Sequence, residues 1–217
     1  MSNSSNKVRV FKLMIGLFVG LLIVGYAWTR NGKPAANAND IATIEKGDKK
    51  QVKNRLVQLY KWKDTQLGEG DFVPLYDDGD SRKYIGLDMA KHSLRLDVLK
   101  KSGFFSDDFL SSYDNIAKGA DSKLRNGELE WLVGDIPPFG IDADAWCSCQ
   151  DYPVAEPWDS IYITIDSIDD KSASLAWTWD EKNTGFSYKV KLKKINGEWK
   201  ISYLQGFDAT NFLSDSN

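Results

Sequence analysis

Histidine is nearly absent: His92 is the only one in 217 residues. Imidazole is the commonest metal ligand and the usual general base near neutral pH. A polyhistidine metal centre is therefore excluded, and any histidine-based relay would fall to His92 alone. His92 lies in a helical pattern, so a structural or surface role is expected. No catalytic residue, no metal ligand and no cofactor is assigned. Cysteine is as scarce, with only Cys147 and Cys149. Basic residues are a minority beyond the N-terminus. Residues 1–30 hold Lys7, Arg9, Lys12 and Arg30 and no acid, which leaves 24 basic against 31 acidic residues in the remainder. Nucleic-acid affinity comes largely from basic contacts to phosphate, so nucleic acid is not an expected partner. The acidic balance fits solubility or a basic partner. Internal repeats are absent. Aromatics are not: eight Trp, nine Tyr and ten Phe supply ample core material.

Long charge-free runs are also missing, with one exception. Leu13 to Trp28 carries no charge. A membrane span needs about 20 apolar residues, or about 17 at the low end. This run is short but usable if Lys12 snorkels toward the interface. Tyr26 and Trp28 close it as interfacial aromatics do. The basic residues before it place the N-terminus in the cytoplasm and the domain outside. The expectation is an uncleaved single-pass anchor in a bacterial inner membrane, with the C-terminal domain in the periplasm. Cleavage at Ala36-Asn37-Ala38 is the alternative. No cysteine stands just after the run, as a lipoprotein anchor would require. Residues 1–29 thus read as cytoplasmic stub and anchor, 30–47 as a linker, and 48–217 as a soluble domain.

Asp48 followed by Gln51 reads as a capping box. Val52, Leu56, Leu59 and Lys63 continue at helical spacing, giving a helix over about 48–64. Gly68, Gly70, Pro74 and the run Asp77-Asp78-Gly79-Asp80 read as a solvated loop, without the ligand spacing of a calcium loop. Tyr84, Leu87, Leu94 and Val98 mark a second helix, closed by Lys100, Lys101 and Gly103. Ser106 caps a third, which Asn126-Gly127 stops. Leu129, Trp131 and Val133 form a short strand. From Ile161 onward the apolar period becomes two, in four runs, and Asn196-Gly197 marks a tight hairpin. Helices first and an antiparallel meander last mean an α+β fold. The expectation is about three helices packed on a curved antiparallel sheet of four to five strands.

Between the helical and strand patterns lies the segment from Gly134 to Tyr152. It holds Pro137, Pro138, Trp146, four acids and both cysteines, and loops of this length are often functional. Cys147 and Cys149 are one residue apart. A disulfide is the expectation in an oxidising compartment; free thiols and metal or redox chemistry stay open. The candidate binding residues are Asp142, Asp144, Trp146, Gln150, Asp151 and Tyr152. Acidic and aromatic side chains together have the make-up of a protein-binding patch. Each also has a plain reading: the acids face water, and Trp146 packs beneath the loop.

Three helices followed by an antiparallel meander resemble the nuclear-transport-factor-2-like, cystatin-like superfamily. The segment Cys147-Ser148-Cys149-Gln150-Asp151 also resembles a bacterial cell-envelope family of unknown function. The resemblance covers about residues 48–208. It implies helices and sheet enclosing a cone-shaped pocket, which some members use for catalysis and many only for binding. Fold alone does not fix function. The functional expectation is a membrane-anchored, periplasm-facing, non-enzymatic binding module with a protein partner; an immunity protein against a periplasmic toxin is one concrete form. The alternative is a small-molecule pocket protein or an enzyme of the ketosteroid-isomerase type, with an Asp base inside the cone.

Overall fold

The computed structural model describes residues 38–212 apart from 69, 77–78, 80–81, 139–142 and 183–184, and side chains from residue 45 to 210. The apolar run from Leu13 to Trp28, the Ala36-Asn37-Ala38 cleavage reading, most of the Asp77–Asp80 run and Asp142 lie outside the described side chains. Among the described residues no helix is long and apolar enough to cross a membrane.

The first helix, α1, is Ala38–Trp62, and it continues as a π-helical turn, Lys63–Leu67. Val52, Leu56, Leu59 and Tyr60 are fully buried along one side, as the spacing predicts. The capping role read for Asp48 is corrected. Asp48 sits inside α1, not at its start, and it is buried. Its Oδ1 accepts from Lys194 Nζ at 2.6 Å and Trp199 Nε1 at 3.2 Å. An acid can occupy a buried helical position when a distant cation and donor satisfy it, and local residue types do not reveal that partner.

A second correction concerns Tyr84 and Leu87. They belong to a strand, β2 (Lys83–Leu87), which lies between β1 (Pro74–Tyr76) and β3 (Trp131–Leu132) in a small antiparallel sheet. The helix α2 starts only at Met89. Asp88 caps it, its carboxylate accepting from Lys91 N at 3.0 Å. Leu94 and Val98 face solvent, and the buried positions are His92 and Leu99. The apolar spacing crossed a strand–cap–helix junction and imitated one period. Gly103 ends α2 with φ 69°, where an L side chain is disfavoured.

Helix α3, Asp107–Arg125, follows its sequence signals closely. Ser106 accepts from Phe109 N, Asp107 and Asp108 occupy the first turn, and Lys123 and Arg125 occupy the last. Phe109, Tyr113, Ile116, Ala117, Ala120 and Leu124 form its buried stripe. His92 Nε2 stands 3.1 Å from Asp114 Oδ1, joining α2 to α3. Burial alone would raise the Asp114 pKa; bonds from Lys118 and His92 outweigh it and lower it.

The meander is β4 (Tyr162–Ile168), β5 (Ser172–Thr178), β6 (Tyr188–Ile195) and β7 (Glu198–Leu204), in that spatial order. The architecture is α+β, with this four-stranded antiparallel sheet separate from the three-stranded one. In β6, Tyr188, Val190 and Leu192 are buried while Lys189, Lys191 and Lys193 are exposed, the alternation of a half-buried strand. The outer edge of β7 is covered where Phe105 bridges Ile201. Helices and sheet share one core, in which Trp177, Tyr60, Tyr113 and Tyr188 are among the largest fully buried side chains. Each such side chain contributes roughly 1.5–3 kcal/mol by its burial.

Candidate functional site

The segment from 143 to 160 turns inward before it turns outward. Asp144 starts the inward half. Its Oδ1 accepts from Trp146 N at 2.8 Å, and its carbonyl accepts from Ser148 N at 2.7 Å. Asp144 N donates to the Cys149 carbonyl at 3.0 Å, closing a compact turn. Cys147 and Cys149 are disulfide-bonded within that turn, with Cα atoms 5.1 Å apart. A ring this small gains little loop-closure entropy, so the bond acts on the shape of the turn. Alkylation of the chain, unfolded without reductant, should find no thiol, and two after reduction. Two thiols before reduction would contradict the bond.

The turn drives Trp146 into the core, where it is 2% exposed. Its ring packs on Phe207 and Phe105, with centroids 5.0 and 6.2 Å away. Its Nε1 donates to Asp71 Oδ2 at 2.6 Å. The loop backbone is satisfied from the interior. Tyr60 Oη donates to the Trp146 carbonyl at 2.8 Å and Tyr188 Oη to the Ala145 carbonyl at 2.7 Å. Trp177 Nε1 donates to Tyr60 Oη at 3.0 Å, and Gly206 N donates to Tyr188 Oη at 3.0 Å. Burial first raises both tyrosine pKa values well above the usual level, so both hydroxyls stay protonated donors. Buried backbone carbonyls need such partners. Gly206 lets the loop approach this closely, because a Cβ there would fall on the Ala145 carbonyl. Gly206→Ala should therefore lose about 1–3 kcal/mol, read as a lower denaturation midpoint. An unchanged midpoint would mean that the loop does not lie against residue 206.

Asp71 organises the other side of this plug. Its Oδ1 accepts from Tyr113 Oη at 2.5 Å and Arg95 Nε at 2.9 Å, while Oδ2 holds Trp146. Arg95 also donates to the carbonyls of Leu67 and Gly68, fixing the end of the π-helical turn. Burial, and then the Asp71 charge, hold the Tyr113 pKa well above the usual range. The sequence reading placed Asp71 in a solvated loop and missed it. The following apolar run, Phe72-Val73-Pro74-Leu75, was the available signal that this stretch is half-buried.

The outward half carries the exposed charge. Gln150 and Asp151 face solvent, and Tyr152 is 37% exposed. Lys63 Nζ donates to Tyr152 Oη at 2.9 Å and to Asp144 Oδ2 at 3.2 Å. Burial lowers the Lys63 pKa, but the Tyr152 bond and the Asp144 charge outweigh it and raise the value. Trp158 stacks on Tyr60 with centroids 4.1 Å apart, and its Nε1 donates to Asp64 Oδ2. A cleft of about 230 Å³ opens here, lined by Lys61, Asp64, Thr65, Glu156, Trp158 and Asp159. Lys61 bridges to Asp159 at 2.6 Å and Lys63 pairs with Asp64 at 3.5 Å, so Glu156 adds the remaining negative charge of the cleft. The π-helical turn forms one wall, a feature frequent at functional sites.

Of the six residues chosen from the sequence, Gln150, Asp151 and Tyr152 share the outer face. Asp144 is largely committed to the turn and to Lys63. Trp146 is a core residue rather than a surface contact, and Asp142 lies outside the described residues. Trp158 was read from the sequence with Trp146 and Tyr152 as part of an aromatic patch; Lys63, Asp64, Glu156 and Asp159 were missed, because no local pattern brings the end of α1 to this loop. Fold and site together define an α+β domain with one loop whose inner half is structural and whose outer half is acidic and aromatic. Comparison with protein-family models, curated proteins and solved structures finds no match to this chain.

Proposed function

We propose that this chain is a membrane-anchored, periplasm-facing binding protein without catalytic activity, which presents the outer face of residues 150–159 to a basic protein. The observation that carries this reading is the plug. Trp146 and the carbonyls of Ala145 and Trp146 occupy the interior between helices and sheet, where they are bonded by Tyr60 and Tyr188. An enzyme of the superfamily that the sequence resembles would need an open cone for substrate; an interior filled by the chain's own loop favours binding at the surface instead. The outer face, by contrast, offers Asp151 and Glu156 beside Tyr152 and the cleft, with Asp159 already bridged by Lys61. Acidic groups around the exposed Tyr152 ring favour a cationic surface and steer its approach, while Trp158, 2% exposed, only backs the cleft. Anchorage through Leu13 to Trp28 would hold this face in the periplasm, and an immunity protein against a delivered toxin is the concrete form that fits.

The test is a photo-reactive amino acid at Val154, which is 56% exposed, and another at Leu94, which is 68% exposed, each in the full chain in its native envelope. A specific adduct from Val154, lost at high salt and absent from Leu94, is expected. An adduct from Leu94 alone would move the binding surface to α2 and overturn the proposal.

A further inference from the structure

We infer that the open edge of β4 receives an extended, lysine- or arginine-bearing segment of the partner as an added strand. This rests on the reading above that the acidic face of residues 150–159 meets a basic protein, and it names the mode of binding. The two edges of the main sheet differ. At β7, Phe104 and Ser106 exchange backbone bonds with Ile201, at 2.8 and 2.9 Å, which closes that edge. At the other side, β4 pairs only with β5 among the described residues. An unpaired edge presents a row of N–H and C=O groups to any extended chain, and peptides are commonly captured this way.

The segment along this edge is acidic, although Lys61 of α1 bridges Asp159. From Asp151 to Asp170 the chain carries Asp151, Glu156, Asp159, Asp166, Asp169 and Asp170, and no lysine, arginine or histidine. Of the devices that blunt an edge strand, β4 has a charge at Asp166 and a bulge before Ser167, both beyond Ile165, so Tyr162 to Ile165 carries no charge, no proline and no bulge. The regular part of the edge is short. Pairing runs evenly from Tyr162↔Thr178 to Ile165↔Leu175, and a bulge follows before Ser167. The acceptor stretch is therefore Tyr162 to Ile165. It begins just after the turn Pro157–Asp159, whose Trp158 and Asp159 line the cleft. Tyr162 and Thr164 are exposed, while Ile163 and Ile165 point toward the core side. An added strand would thus set alternate apolar residues beside the isoleucines, with basic residues on the outer face toward Asp166.

The experiment is hydrogen–deuterium exchange of the full-length chain in non-ionic detergent, titrated with a short peptide alternating lysine and valine. A companion peptide carries N-methyl groups on alternate residues, in both registers. Binding should slow exchange in fragments covering 162–168, and N-methylation should abolish it in one register only. Asp166→Lys, at an exposed position, should weaken the lysine peptide about tenfold or more. Binding without protection of 162–168, or no binding of the peptide at all, would overturn the inference. Concentration-dependent protection without peptide would overturn it too, by making a second copy of this chain the occupant. If Val154 crosslinks a partner while β4 exchange stays unchanged with peptide, the binding face stands and only strand addition fails. If Val154 captures nothing specific, the failure lies in the functional reading itself.

Discussion

Asp71→Ala is expected to lose about 3 kcal/mol of stability, the low end of the cost of removing one member of a buried charge pair, because the Asp71 side chain is 19% exposed. The total stability of a domain is about 5–15 kcal/mol, so this single change should remove a large fraction of it. The carboxylate accepts from Tyr113, Arg95 and Trp146 at once. Deleting it strands three donors, and the Arg95 side chain is only 10% exposed. Two milder variants divide the effect. Tyr113→Phe removes one donor and its bond, and should cost about 1–3 kcal/mol. Asp71→Asn keeps the volume but turns amide hydrogens toward existing donors, so it should fall between the two. Denaturant midpoints for the three variants give the order directly. An Asp71→Ala midpoint equal to wild type would mean that Asp71 is solvated, as the reading of residues 68–80 as a solvated loop had it.

Trp146→Ala should cost about 3–5 kcal/mol, the range for deleting a buried aromatic ring. It removes the ring that packs on Phe207 and Phe105, and it also frees one Asp71 oxygen. Trp146→Phe separates the two effects. It keeps most of the packing and loses only the bond to Asp71, for about 1–3 kcal/mol. Because Trp146 and Asp71 share that bond, their double variant should be less destabilised than the sum of the singles. Additive losses would show that the indole does not reach the carboxylate. A surface role for Trp146 predicts the reverse pattern: weakened binding at unchanged stability.

The main sheet was legible because its period is two and its residues are half-buried. Tyr188, Val190 and Leu192 against Lys189, Lys191 and Lys193 needed no partner to be read. Helix α3 was legible for the same reason, with its cap, stripe and stop all local. Of the small sheet only β3 was, as the short strand read at Leu129, Trp131 and Val133. Its strands are short, β3 comes from beyond α3, and β2 borrows a helical spacing from the residues after it. Asp48 and Asp71 fail for one cause, and it also left Trp146 open between a surface contact and packing beneath the loop, the second of which the structure shows. Each is a polar or amphipathic side chain satisfied by a group far along the chain, and acids otherwise read as surface. The loop could be singled out by its composition. Which half of it turns inward depended on Tyr60 and Tyr188, and nothing near residue 146 announces them.

The central claim is that this loop divides into a structural inner half and a binding outer half. The most direct measurement titrates the crosslinked partner against Asp151→Asn/Glu156→Gln, at two salt concentrations, alongside its thermal midpoint. Both residues are exposed, so the midpoint should stay at the wild-type value. Affinity should drop about tenfold or more, with a smaller salt dependence. A variant that is equally stable and binds as wild type does, with the same salt dependence, would contradict the account.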